Sequence, residues 1–142
     1  MDKVRYTLKK TDILRSRRIV SMLFSKRQPG IIERHSAVFG PLKAVYMFRE
    51  EDETSTARLQ AMFSVSKRMF KRAVHRNRMR RRMKEAYRLQ KIPLGSLSVE
   101  KKTDVTIHFS FISNEQADYA SIHESMRKIL EKILDSLANS RH

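Results

Sequence analysis

Ser66-Lys67-Arg68-Met69-Phe70-Lys71-Arg72-Ala73-Val74-His75-Arg76-Asn77-Arg78-Met79-Arg80-Arg81-Arg82-Met83-Lys84-Glu85-Ala86-Tyr87-Arg88 leads from a segment of alternating apolar residues to a break at Ile92-Pro93-Leu94-Gly95-Ser96. It is rich in helix formers, and residues 70–90 are expected to be helical. At about 100° per residue, Met79, Met83, Ala86, Tyr87 and Gln90 fall within roughly a third of the circumference. Asn77, Arg78, Arg80, Arg81, Lys84 and Arg88 cover the opposite side. The expected arrangement is a helix docked by its Met/Tyr stripe, with a guanidinium-rich face outward. On this setting, replacing Arg76, Asn77 or Arg78 leaves folding largely intact. Phe70, Ala73 and Val74 do not fit, because they project onto the sector of Asn77 and Arg81. Either the first turn is buried differently or regular helix starts only near Arg72; a change of environment where the chain leaves the preceding strand is favoured. Asn77 opposes helix propensity. It is either an inconsequential surface residue or one that contacts a ligand or fixes a neighbouring arginine.

Upstream, Arg58 to Ser66 reads as a strand, with Leu59, Ala61, Phe63 and Val65 on one face and Gln60, Met62 and Ser64 on the other. Residues 37–49 hold another, centred on Ala44-Val45-Tyr46-Met47-Phe48, with a bulge or two strand pieces expected at Gly40-Pro41. The acidic stretch 50–56 lies between them, so the two strands are expected to form an antiparallel hairpin with a longer loop. Gln28-Pro29-Gly30 is a break. Before it, Ser16 can cap a short helix to about Lys26, carrying Ile19, Val20, Leu23 and Phe24 at helical spacing.

Downstream, residues 95–103 are expected to be a linker. Thr103 to Ile112 alternates strictly and is the clearest strand. Asp118 to about Leu137 is an amphipathic helix with Tyr119, Ile122, Met126, Ile129, Leu130, Ile133, Leu134 and Leu137 on its apolar stripe. The order helix, strands, basic helix, strand, helix gives an α+β fold, with three helices against a small, mostly antiparallel sheet. A chain of 142 residues, 40% hydrophobic, is expected to form a single domain over 1–142.

The net charge is +16, and its placement carries more information than its size. Residues 67–88 hold 11 Lys/Arg against one acid, and residues 1–34 hold 10 against 3. The remaining segments are near neutral. Two concentrated basic blocks point to a polyanion, nucleic acid first. A membrane surface fits poorly, since the densest block lacks the aromatic and Leu face of an interfacial anchor. No apolar run approaches the roughly 18 residues needed to cross a bilayer, and the first 30 residues are too polar for a signal peptide, so a cytoplasmic location is expected. With no cysteine there is no disulfide and no thiolate-held metal. His35, His75, His108, His123 and His142 show no metal-ligand spacing, and His108 is expected at a surface or facing a nucleic acid. The carboxylates of 50–53 read as a solvated turn. No catalytic residue and no bound metal are expected in the protein.

Arg76-Asn77-Arg78-x-Arg80-Arg81-x-x-Lys84-Glu85-Ala86-Tyr87-Arg88 resembles the signature of the bacterial ribonuclease P protein family. Phe63-Ser64-Val65-Ser66-Lys67-Arg68 resembles the strand that precedes it there, and Leu14-Arg15-Ser16-Arg17-Arg18 leading to Phe24 resembles the family's first helix. The strand with Asp104-Val105 and the last helix follow in the family's order. This chain departs in lacking a Gly near Phe70, in one extra residue before Arg76, and in Val20 where Phe is common. Segment 28–41 matches poorly, so no functional residue is carried onto it. The resemblance implies a left-handed crossover through the basic helix and an RNA-binding subunit of an enzyme that removes the 5′ leader of precursor tRNA. It places the catalytic RNA on Lys67, Arg68, Lys71, Arg72, Arg76, Asn77, Arg78, Arg80, Arg81, Lys84 and Arg88. The single-stranded leader would lie in a groove drawing on Arg17, Val20, Phe24, Gln60, Met62 and Ser64. Hydrolysis is assigned to the RNA subunit and its Mg2+ ions, with no cofactor held by the protein, no membrane and no obligate protein partner. The alternatives are a ribosomal-type structural RNA-binding protein and a DNA-binding protein with the basic helix in a major groove; no second helix is placed for a helix-turn-helix.

Overall fold

The computed structural model describes residues 31–50 and 59–140. Four strands, β1 (Ile31–Phe39), β2 (Leu42–Glu50), β3 (Leu59–Val65) and β4 (Thr103–Phe111), form one sheet in the order β1-β2-β4-β3. The first two pairings are antiparallel and the β3–β4 pairing is parallel. Gly40 and Pro41 make the β1–β2 turn, with Phe39 opposite Leu42. Gly40 has φ +54°, a left-handed conformation open to glycine at no steric cost. A Cβ there would lie 2.5 Å from Ser125 Oγ, so the turn is seated close against the last helix.

The helices are α1 (Ala73–Gln90), α2 (Ile92–Glu100) and α3 (Tyr119–Ala138). α3 starts on Asp118, whose carboxylate accepts from Ser121 N at 2.8 Å and closes one of the orphan donors of the first turn. It ends under Lys101, whose Nζ donates to the carbonyls of Leu137, Ala138 and Ser140. One core joins Ala44, Tyr46, Phe48, Leu59, Ala61, Phe63, Val65, Val105, Ile107, Phe109 and Phe111 of the sheet to Met79, Met83 and Tyr87 of α1 and the Ile122–Leu137 stripe of α3. Strand alternation produces this: in β3 the residues of odd number are buried and Gln60, Met62 and Ser64 are half-exposed.

Two expectations need correction. The strands around 44–48 and 58–66 are not hairpin partners; β4 lies between them, and the hairpin is instead β1–β2 about Gly40-Pro41. The reason lies in β4 itself. Val105, Thr106 and Ile107 are all buried, and a strand buried on both faces belongs in a sheet's interior. Residues 95–103 are not a linker throughout, because 92–100 is a helix. Pro93 stands in its first turn, where a missing N–H costs nothing, and Lys91 serves as both the end of α1 and the start of α2. Of the two options at Gly40-Pro41, two strand pieces is the one observed. The helix expected over 16–26 lies outside the described residues, as does the acidic turn expected over 50–56 apart from Glu50, which ends β2.

Candidate nucleic-acid interface

Three aromatic rings set the rotation of α1. Tyr87 meets Phe63 at 5.5 Å and Phe109 at 5.6 Å between ring centroids, and Phe63 stacks on Phe109 at 5.4 Å. With Met79, Met83, Ala86 and Tyr87 buried beneath the helix, Asn77 and Arg81 are exposed, and Arg76, Arg78, Arg80, Lys84 and Arg88 are half-exposed. Lys67, Arg68, Lys71 and Arg72 are exposed on the segment that carries the chain from β3 to α1. All eleven basic-helix positions singled out in the sequence therefore reach the surface, and Gln90 turns inward to donate to the carbonyls of Ala86 and His123.

The misfit at the helix start resolves into two environments. Regular helix begins at Ala73, after Arg72 in extended conformation. Phe70 precedes it and is buried against Phe111, at 5.7 Å between centroids. Ala73 and Val74 are exposed. The helix has no side-chain cap and no acid in its first turn, so its positive end adds to the field of the basic residues around it.

The arginines are not equivalent. Arg76 Nη1 donates to the carbonyls of Phe70 and Lys71, each at 2.8 Å. It therefore braces the β3–α1 segment rather than only facing solvent. Arg80 Nη1 donates to Asn77 Oδ1 at 2.7 Å, so Asn77 does fix a neighbouring arginine. Arg78 reaches Gln116 Oε1 at 3.1 Å, and Arg82 reaches the Ala117 carbonyl at 2.5 Å. Together they tie α1 to the segment before α3. Arg88 is paired with Glu85, and that hydrogen bond holds the Glu85 carboxyl below the usual carboxylate range. Arg82, a structural tie, and Val74, exposed among the basic residues, are absent from the face assigned in the sequence. The signal for Val74 was its angular sector, shared with Asn77 and Arg81.

A shallow depression of about 600 Å3 on the outer face of α1 is lined by Val74, Asn77, Arg80, Arg81 and Lys84. A second, of about 320 Å3, lies toward α3 among Arg78, Arg81, Arg82, Glu85 and Tyr119.

On the sheet face turned away from the core, Gln60, Met62 and Ser64 stand in register with Thr106, His108 and Ser110 of β4. Ser64 Oγ lies 2.8 Å from His108 Nε2, and burial lowers the His108 pKa. The imidazole is thus half-buried and tied to a neighbour rather than simply on the surface. Arg17, Val20 and Phe24 lie outside the described residues. Among the described residues no group of three or more His, Cys, Asp or Glu could hold a metal ion, and no helix is long and apolar enough to cross a membrane.

A family model described as Ribonuclease P matches residues 9–134. The ribonuclease P protein component of Porphyromonas gingivalis is 34% identical over 108 residues, which is 76% of this chain and 77% of that protein. The corresponding protein of Chlorobaculum tepidum is 31% identical over 137 residues, 94% of this chain and 84% of its own. Among solved structures, the Staphylococcus aureus RNase P protein superposes with a TM-score of 0.55 at 14% identity, covering 94% of this chain and all 100% of that one. A mutant of it with defective mRNA degradation activity gives 0.60 at 15% identity, covering 87% and 89%. At such identities these two structures speak to the fold, and the fold agrees with what the family match and the relatives above 30% identity establish: the chain belongs to the ribonuclease P protein family.

Proposed function

We propose that this chain is the RNA-binding subunit of ribonuclease P, the ribonucleoprotein that removes the 5′ leader of precursor tRNA, and that it works in the cytoplasm. The observation that carries the reading is the outer face of α1. Met79, Met83 and Tyr87 pin the helix, and the exposed Asn77 and Arg81 with the half-exposed Arg80 and Lys84 line a depression that contains no acid. Planar guanidinium groups bond phosphate oxygens in pairs, which suits an RNA backbone. The catalytic RNA binds this face and the basic β3–α1 segment. The single-stranded leader lies along the Gln60, Met62 and Ser64 face of β3, where apolar and polar side chains alternate beside β4; Arg17, Val20 and Phe24 complete the groove. The β3-to-β4 connection through α1 runs left-handed. The Mg2+ ions that activate water belong to the RNA. The protein contributes binding and orientation.

Reconstitution tests this. The protein is mixed with a bacterial ribonuclease P RNA and precursor tRNA at a magnesium concentration where the RNA alone is nearly inactive. The expected result is cleavage at the 5′ end of the mature tRNA, stimulated by the protein, with none from RNA-free protein. Absence of stimulation, with an RNA proven active at high magnesium, would leave a ribosomal-type structural role instead. Cleavage by RNA-free protein would overturn the division of labour.

A further inference from the structure

We infer that the Val74–Lys84 stripe of α1 holds one unpaired nucleotide of the catalytic RNA, its base against Val74 and its phosphate on Arg81 and Lys84. This rests on the reading that α1 faces that RNA, and adds what kind of RNA element it takes. Val74, Asn77, Arg81 and Lys84 recur at spacings of three and four and so lie in one row along the helix. Val74 is 55% exposed, an apolar side chain at the head of a basic row. It shares the depression with Asn77, Arg80, Arg81 and Lys84, and it is not part of the core that packs beneath α1. A face meant only for phosphates has no use for it.

Asn77 gives the second observation. Its Oδ1 accepts from Arg80, and since the residue is exposed its amide NH2 remains as a donor to a ligand. A donor beside an apolar contact is what a base edge requires: ring nitrogens and carbonyls accept, and the ring face covers the methyl groups. A regular RNA duplex offers base edges in its shallow minor groove but no open ring face beside them. Its deep groove is too narrow for side chains, and its bases are already stacked. An unstacked nucleotide in a loop or bulge offers both. The depression these residues line, about 600 Å3, falls within the roughly 300–1,000 Å3 of small-ligand sites.

The test uses the whole protein and the intact catalytic RNA, with affinity measured over a range of salt. Val74→Ser and Asn77→Ala each remove an uncharged contact. Each is expected to weaken binding roughly five- to tenfold without changing the salt slope. Arg81→Ala is expected to weaken binding and also to flatten the slope by about 0.7, one phosphate's share for a single strand. Circular dichroism verifies that each variant is folded. A photo-crosslinking amino acid in place of Val74 is expected to label one unpaired nucleotide. Val74→Ser and Asn77→Ala binding like the parent, or crosslinks spread over paired helices, would overturn the nucleotide pocket while Arg81→Ala still reported an RNA face. If the parent protein does not bind the RNA at all, the proposed function falls along with the pocket.

Discussion

Arg76 and Arg80 lie four residues apart on α1 and do different work. Arg76 holds two backbone carbonyls of the segment entering the helix, whereas Arg80 holds only an exposed asparagine side chain. Hydrogen bonds from a charged group contribute roughly 1.5–3 kcal/mol each way they are counted, and surface changes usually stay within about 0.5 kcal/mol. Arg76→Ala is therefore expected to destabilise the fold by about 1.5 kcal/mol, the low end because the side chain is half-exposed, and Arg80→Ala hardly at all. Urea denaturation midpoints decide; equal midpoints would mean water replaces the Arg76 bonds. His108 supplies a pH effect. Burial depresses its folded-state pKa below the ordinary 6.5, so the unfolded chain takes up the proton first as pH falls. The stability this confers is complete above about pH 6.5 and declines below it, until the lowered pKa is passed. Thermal midpoints measured from neutral pH to about pH 5 are expected to fall more steeply for the parent than for His108→Gln, which does not titrate. Parallel curves would show that the imidazole is equally solvated in both states.

The β1–β2 turn and α3 meet through Gly40, where two separate constraints on one residue can be pulled apart. A side chain at φ +54° costs about 1–2 kcal/mol, and a Cβ there also strikes Ser125 Oγ. Gly40→Ala is expected to lower stability by more than the conformational cost alone. In a Ser125→Ala background the hydroxyl is gone and the nearest remaining atom, Cβ at 3.7 Å, is an ordinary contact; the loss should shrink to the conformational part. A double-mutant cycle by thermal denaturation measures the difference, and zero coupling would mean the turn is not seated on α3. Legibility in the sequence varied with the kind of element. Alternation in β3 and the stripes of α1 and α3 report which residues face the core, because burial has the period of the backbone. They say nothing of which strand neighbours which, so the insertion of β4 between β2 and β3 could not be read. The helix at 92–100 was hidden by Pro93 and Gly95, which signal breaks unless the proline falls in a first turn, as it does. In the candidate interface the exposed arginines followed from the Met79–Met83–Tyr87 stripe. The bracing by Arg76 did not, since its acceptors are backbone carbonyls placed by the crossing segment.

At the scale of the whole molecule the charge is a map of the surface. Residues 67–88 hold 11 of the 31 basic residues, and α1 with the segment before it puts them on the outside of the fold, while α3 carries its charges in mixed sign, with Arg127 bonded to Glu124 and Glu131. Within the basic tract Arg76, Arg78, Arg80, Arg82 and Arg88 hold internal partners. Lys67, Arg68, Lys71, Arg72, Arg81 and Lys84 hold none among the described residues, and these six are the cations counted as phosphate contacts. Each phosphate neutralised releases condensed counterions, and the affinity falls with salt in proportion to their number. For about six contacts the logarithm of the binding constant for the catalytic RNA is expected to fall against log salt with a slope near −4, taking the single-strand coefficient. The location of the charge makes a sharper claim than its amount. Removing Lys71 or Arg72 should flatten the slope by about 0.7 each, whereas Lys128→Ala or Lys132→Ala on α3 removes the same net charge and should leave it unchanged. If the α3 variants flatten the slope as much as the others, the RNA is responding to net charge alone, and α1 does not form the binding face.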